Sequence, residues 1–228
     1  MLFRSGNLPG SLGIDPAAPD AEQRLAAGVA QVVRRQRETG LDIVNEGEYS
    51  KGGGWLAYAN GRFGGFEAEQ PVGVPLNQQG RDREVFADFY RYATDKGSLY
   101  YTEAGDIKTQ RRHWVCTGPI VYQGEAATQR EIALLKASLQ PGEEAFLTST
   151  APSSLEPYWR NAHYASDEEF LFAFAEAMRT EYELIVDAGL ILQADDAWLP
   201  ALWDRIGITM GLRSEEHTSE LQSHHDLV

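Results

Sequence analysis

The sequence predicts an α/β fold, an incomplete barrel of parallel strands with covering helices, and three observations carry that prediction. Strand-like and helix-like segments alternate along the chain at domain scale. Polar and acidic residues gather where strand-like segments end, as they do around the carboxyl-terminal mouth of parallel α/β architectures. Five strands spread over residues 1–212 leave connections too long for a compact five-stranded open sheet.

The elements follow in order. "LFRSGN" (2–7) reads as a short strand before the turn "LPGSLG". Asp20 is placed to cap a helix, with Gln23 set for a capping box. Leu25, Val29, Val32 and Val33 lie on one face of it, and Gly40 is its stop. "LDIVNEGE" (41–48) is the second strand, on which Glu46 and Glu48 would share a face. The Gly- and aromatic-rich stretch 49–75 reads as a long loop with one helical turn, in which Trp55 and Tyr58 are candidates for a ligand lid. Residues 81–94 are helical, with Val85, Phe86, Phe89 and Tyr90 on a face.

"RRHWVCTGPIVYQ" (111–123) is a third strand, kinked at Gly118-Pro119. A helix at 125–139 carries Ile132, Leu135 and Leu139. "EAFLTSTAP" (144–152) is the fourth strand and ends in small polar residues. Ser166 opens the clearest helix, with Glu169 completing its capping box and Gly189 ending it. Its stripe is Phe170, Phe174, Met178, Tyr182, Ile185 and Val186. "LILQAD" (190–195) is the fifth strand.

With 228 residues, 43% of them hydrophobic, the chain can bury a real core as one domain or two small ones. A formal charge of −14 argues against nucleic acid or an anionic membrane as the main partner, because both need clustered Lys and Arg. No apolar span reaches the roughly 20 residues of a membrane helix, and "MLFRSGNLPG" has no signal-peptide apolar region. The single cysteine, Cys116, excludes an internal disulfide and a multi-cysteine zinc site, and suits a reducing cytoplasm. A cytoplasmic protein is therefore expected.

The last residues break the pattern. "RSEEHTSELQSHHDLV" (213–228) replaces apolar periodicity with Ser, Glu, His and Thr, and holds three of the five histidines. It resembles the conceptual translation of a sequencing-library adapter. A non-native, disordered tail is expected over 213–228, and the His224-His225 pair is not read as a metal site.

Asp195 and Asp196 pose the sharpest chemical question, since they close an apolar strand. Desolvating a carboxylate costs several kcal/mol unless a cation, donor or ligand compensates it. Alternation points the two aspartates opposite ways, so one can look into the barrel, most simply Asp195 with Gln193 behind it. Asp196 would then cap or pair outside. Glu48 and Asp195 could together bind an ammonium group or work as an acid/base pair, or both ends could simply be wet. His113 and Cys116, three residues apart in a strand, fall on opposite faces and make a poor metal pair. "KGGGW" lacks phosphate-loop spacing, no Gly-x-Ser-x-Gly elbow occurs, and His163 suits packing or capping better than base catalysis.

Four segments in order resemble the catalytic barrel of the cobalamin-independent methionine synthase family, particularly its shorter, single-domain relatives. They are "SGNLP" (5–9), "QRETGLDIVNEGEYSK" (36–51), "CTGPIVY" (116–122) and "NAHYASDEEFLFAFAEAMRTEYELIVDAGLILQADDAWL" (161–199). The resemblance covers nearly all of 1–212 and implies a (β/α)₈ TIM-type barrel of which about the first five strands are present. It implies a zinc-dependent methyltransferase in which zinc deprotonates the homocysteine thiol. The thiolate then takes the methyl group from N5 of 5-methyltetrahydrofolate, polyglutamylated or not, in methionine biosynthesis.

Carried over, the backbone of Gly6 and Asn7 together with Glu48 would hold homocysteine, and Asp195 would take its ammonium group. Asn7 stands where the family usually has Ser, Gly10 where Arg or a polar residue is frequent, and Glu46 where His or Asp is common. The family's zinc ligands, a His-x-Cys pair, a Glu and a second Cys on later strands, have no counterpart before residue 213. No catalytic residue and no metal ligand is therefore assigned, and the chain itself is expected to be inactive and poorly soluble. Three alternatives stay open: another thiol alkyltransferase resembling the epoxyalkane–coenzyme M transferases, a barrel hydrolase using Glu48 and Asp195, and a metal-free amino-acid-binding barrel.

Overall fold

A computed structural model of the protein describes residues 18–51, 55–69, 81–95, 113–155, 159–196 and 203. The strand expected at 2–7, the site residues Gly6 and Asn7, and the tail 213–228 lie outside the described residues. No described helix is long and apolar enough to cross a membrane.

The chain divides into two compact units. The first takes in the described residues up to Glu67 and from Trp114 to Asp196; the second takes in those between and after. In chain order the elements are α1 (Ala21–Glu38), β1 (Ile43–Val44), α2 (Trp55–Asn60), β2 (Phe63–Glu69), α3 (Arg81–Val85) and α4 (Ala87–Asp95). Then come β3 (His113–Tyr122), α5 (Glu125–Lys136), β4 (Glu144–Thr150), α6 (Pro152–Leu155), β5 (Trp159–Asn161), α7 (Asp167–Asp187) and β6 (Ile191–Asp195).

Helices and sheets are mixed as the sequence predicts, and the strands form two three-stranded sheets. In one, β4 lies between β1 and β6 and is parallel to both. Helices α1, α5 and α7 cover one of its faces. Leu25, Val29 and Val33 of α1, Leu135 of α5 and Ile185 of α7 pack with Val44, Ala145, Leu147 and Leu190 into a single buried cluster. Residues 145 and 147 point to the helices because side chains alternate along a strand, so 146, 148 and 150 point the other way. No closed barrel is formed by the described residues; one face of this open parallel sheet is helix-covered, as in an incomplete barrel.

The second sheet has the order β2-β3-β5. The segment expected as a third barrel strand therefore belongs here, beside two strands that the sequence did not announce. β5 runs parallel to β3 but pairs with it only over Trp114–Cys116. The Gln123 amide donates to the Arg62 carbonyl at 2.7 Å, and Gly65 lies against Gly118 and Pro119, so β2 and β3 run in opposite directions. The expected kink at Gly118-Pro119 does not break the strand. Beyond Cys116 no β5 neighbour requires a donor at Pro119, and the next amide, Ile120, donates to the Tyr164 hydroxyl at 2.9 Å.

The two clusters meet along α7. Its first half packs Phe170, Phe174 and Met178 against Phe63, Cys116, Leu155 and Trp159, where Phe63, Trp159 and Phe174 make edge and tilted ring contacts at 4.7–5.7 Å. Its second half sends Ile185 into the other cluster. Ser166 caps the helix by accepting the Glu169 amide at 3.1 Å, while Glu169 Oε2 accepts from Ala165 at 3.2 Å, one residue before the cap. The expected cap at Asp20 is not made: its side chain makes no capping hydrogen bond. The neighbouring Glu22 is instead held by Arg130 through bonds of 2.6–3.0 Å. Val186, expected in the α7 stripe, is 55% exposed.

In the second unit, the helix expected over 81–94 is divided at Phe86 into α3 and α4. Phe89 and Tyr90 make an edge-on ring contact at 5.5 Å. Val85, Phe86 and Phe89 are exposed rather than forming a buried face.

Candidate functional site

The strand expected at 41–48 lasts only through Val44, and the reason is local. The Gln36 side chain of α1 takes both backbone groups of Asn45, donating to its carbonyl at 2.8 Å and accepting its amide at 2.9 Å. Those groups are then lost to a strand ladder. The Asn45 side chain accepts the Gly47 amide at 3.0 Å, and the chain turns through positive φ at Gly47 (71°) and Glu48 (56°). Gly47 suits that conformation, and Val32 packs 3.0 Å from where a Cβ would stand. A non-glycine residue such as Glu48 holds it at a cost of about 1–3 kcal/mol. Strand alternation consequently does not govern Glu46 and Glu48, and the shared strand face expected for them is replaced by this turn.

Glu48 is held from the end of β4. The Thr148 hydroxyl donates to Glu48 Oε1 at 2.6 Å, and Lys51 Nζ donates to the same oxygen at 3.3 Å. Lys51 is 5% exposed and also donates to the Thr148 carbonyl at 2.7 Å and to the Thr148 hydroxyl. Partial burial pushes the Glu48 carboxyl up, but the Lys51 charge and the bonds from Thr148 and Lys51 outweigh it. The group sits below the usual glutamate value. Glu46 is the opposite case. It is 1% exposed, neither side-chain oxygen has a hydrogen-bond partner, and burial pushes its carboxyl up to about 7 against the pull of Lys51.

Behind Lys51 stands a buried ionic lattice. Two cations approach the Tyr58 ring, Lys51 Nζ at 5.3 Å and the Arg62 guanidinium at 3.8 Å from its centre. Its hydroxyl donates to Glu131 Oε2 at 2.8 Å, and Arg62 pairs with Glu131 Oε1 at 2.8 Å and Glu181 Oε2 at 3.4 Å. Ser149, on the helix-facing side of β4, donates to Glu181 Oε1 at 2.7 Å, and Tyr122 donates to Glu181 Oε2. Tyr58 is thus a wall of this lattice rather than a lid; the side chain of Trp55 lies outside the described residues.

Asp195 stands on the sheet face opposite the one that packs against α1, α5 and α7. In the β4–β6 register Thr148 pairs with Gln193 and Thr150 with Asp195, so all four share that face. One strand spacing and two residues of rise put the Cα atoms of Asp195 and Thr148 about 8 Å apart. Asp195 is exposed, and Gln193 Nε2 donates to its Oδ1 at 2.8 Å. Asp196, just past the end of β6, accepts from the Ser154 hydroxyl at 3.2 Å. The geometry therefore brings Asp195 to the same sheet face as the Thr148 hydroxyl that holds Glu48.

Among the described residues, no group of three His, Cys, Asp or Glu could hold a metal ion. Cys116 is buried, donates to the Gly118 carbonyl at 3.2 Å, and has its thiol pushed up by burial. These residues do not fit a zinc site, and no chemical step is assigned to zinc here. His163 is exposed, edge-on to Tyr164 at 4.9 Å.

No protein-family model matches the chain, and no curated protein does. A solved structure matches in fold: a B12-independent methionine synthase from Shewanella sp. W3-18-1 in complex with selenomethionine, with TM-score 0.54 and 15% identity. The likeness is one of fold. It covers 81% of this chain and 44% of that one, so the chain spans less than half the length of that synthase. The α/β, barrel-type architecture predicted from the sequence is thereby supported.

Sequence reading missed Lys51, Arg62, Glu131 and Glu181. Glu181 had a signal, since it falls inside the apolar stripe of α7 between Met178 and Ile185. A charge at a core-facing helical position requires a buried partner. Arg62 and Lys51 had none, because each lies in a segment whose burial depends on distant elements.

Proposed function

We propose that the sheet face opposite the helices, at the carboxyl ends of β4 and β6, is the amino-acid-binding part of an S-methyltransferase site of the cobalamin-independent methionine synthase type. Homocysteine is the acceptor, and Glu48 and Asp195 receive its ammonium group. The observation that carries the reading is the placement of Asp195 on the same sheet face as Thr148, whose hydroxyl fixes Glu48. The fold match to a B12-independent methionine synthase adds support. The bonds from Thr148 and Lys51 both fall on Glu48 Oε1, which leaves Oε2 for a ligand, and Asp195 offers an exposed carboxylate. Two carboxylates on one face suit an ammonium group, which has three donors to place.

The methyl donor, 5-methyltetrahydrofolate, and zinc belong to this proposal through the resemblance alone, and none of the described residues is assigned to them. The hydrolase reading has less support. A general acid needs a raised carboxyl, whereas Lys51 and Thr148 hold Glu48 below its ordinary value.

Isothermal titration of the full chain with L-homocysteine, L-methionine and L-selenomethionine tests the proposal. Saturable binding that weakens about tenfold or more in both Glu48→Gln and Asp195→Asn is expected. Binding that is unchanged in both variants, or no binding to the wild-type chain, overturns it.

A further inference from the structure

We propose that Lys51 is a positioning residue of this site: a buried ammonium that grips Glu48 by one oxygen and leaves the other outside its lattice of bonds, available to a ligand's ammonium group. The inference rests on the amino-acid reading for the identity of the ligand, not for the grip itself.

An ammonium group has three donors, and Lys51 has three acceptors at hand: Glu48 Oε1, the Thr148 carbonyl and the Thr148 hydroxyl. The Thr148 hydroxyl in turn spends its proton on Glu48 Oε1. Lys51, Thr148 and Glu48 therefore form a closed ring of bonds in which every donor is used. The main chain repeats the tie, since the Lys51 amide donates to the Glu48 carbonyl at 3.0 Å and closes the turn that holds Glu48 at positive φ. With its donors committed to these acceptors, the Lys51 side chain acts by holding its neighbours.

The surroundings keep that charge in place. Glu46, Glu48 and Glu131 are the carboxyl groups that interact with Lys51, and the Tyr58 ring closes a further side. Glu46 makes no hydrogen bond to it, so Glu48 alone is gripped. An apolar side chain would fill the same space without the several kcal/mol that desolvating an ammonium costs. A role in fixing the Glu48 carboxylate is the return the geometry offers for that cost.

Carboxyl-carbon NMR of the full chain labelled on glutamate decides the matter, with the Glu48 resonance assigned through Glu48→Gln. In the wild type Glu48 titrates below the ordinary glutamate range. In Lys51→Gln, which keeps donors but not charge, its midpoint rises to the ordinary value or above; in Lys51→Arg it returns toward the wild type. Lys51→Met gives the same rise if it folds, and the Gln and Arg variants suffice if it does not. L-methionine affinity at pH 7 falls about tenfold in Lys51→Gln and less in Lys51→Arg. A Glu48 midpoint that is the same in wild type and Lys51→Gln overturns the proposal. A midpoint that moves in a wild-type chain binding neither methionine nor homocysteine upholds the grip and overturns the amino-acid reading.

Discussion

The Thr148 hydroxyl donates to Glu48 Oε1 at 2.6 Å, joining the end of β4 to a turn one hundred residues earlier in the chain. That bond fixes a half-exposed carboxylate to the rigid centre of a parallel sheet. Thr148→Val keeps the shape and removes the hydroxyl. It should cost about 1–3 kcal/mol, because Lys51 loses an acceptor in a buried place. It should also raise the Glu48 midpoint. Urea unfolding and carboxyl NMR of the variant measure the two effects separately.

Glu46 should make stability fall as pH rises. Burial pushes its folded-state carboxyl up to about 7 from an ordinary 4.5, so the folded chain keeps a proton that the unfolded chain releases. The contribution is fully present below pH 4.5, declines between 4.5 and about 7, and is gone above. A shift of that size corresponds to something on the order of 3 kcal/mol. Glu46→Gln, neutral at every pH, should flatten the curve and make the chain more stable than wild type at pH 8. Unfolding free energies at pH 5 and pH 8 check this; equal pH dependence in both proteins would contradict the burial argument.

Arg62 should be among the least replaceable side chains in the protein. It is 4% exposed and neutralises Glu131 and Glu181 at once. Arg62→Met leaves two carboxylates buried without their cation, at a cost of about 3–5 kcal/mol. Replacing Glu131 with Gln in the same chain should recover part of that loss, because one of the stranded charges disappears. A double-mutant cycle by chemical unfolding measures the coupling.

Asp195 should separate binding from stability. Its side chain is exposed and, among the described residues, is bonded by Gln193 alone, so Asp195→Asn should change stability by no more than about 0.5 kcal/mol. The same change removes a charge from the proposed ammonium site, where a charge-assisted bond contributes about 1.5–3 kcal/mol. Thermal unfolding and methionine titration on one preparation compare the two. A large stability loss would mean that Asp195 is structural.

How much was legible depended on whether a pattern was local. The stripe of α7 and its Ser166 cap are nearest-neighbour facts, and the residues themselves state them. The strand signal at 41–48 ends early because Gln36, nine residues away on α1, claims the backbone of Asn45. β2 reads as loop in the sequence because its glycines hide a strand that exists through its pairing with β3.

The α/β class and the main helices are written in the residues themselves, whereas the β4–β6 register is what sets Asp195 on the face of Thr148. The class and the helices follow from periods of two and 3.6 residues, which the chain carries without reference to anything distant. Only the tertiary structure decided that Lys51 is buried, that it grips Glu48 through Thr148, and that Arg62 answers to Glu131 and Glu181. Burial and charge compensation arise where segments far apart in the chain converge, and no local pattern encodes the dielectric or the partner that a side chain will meet there.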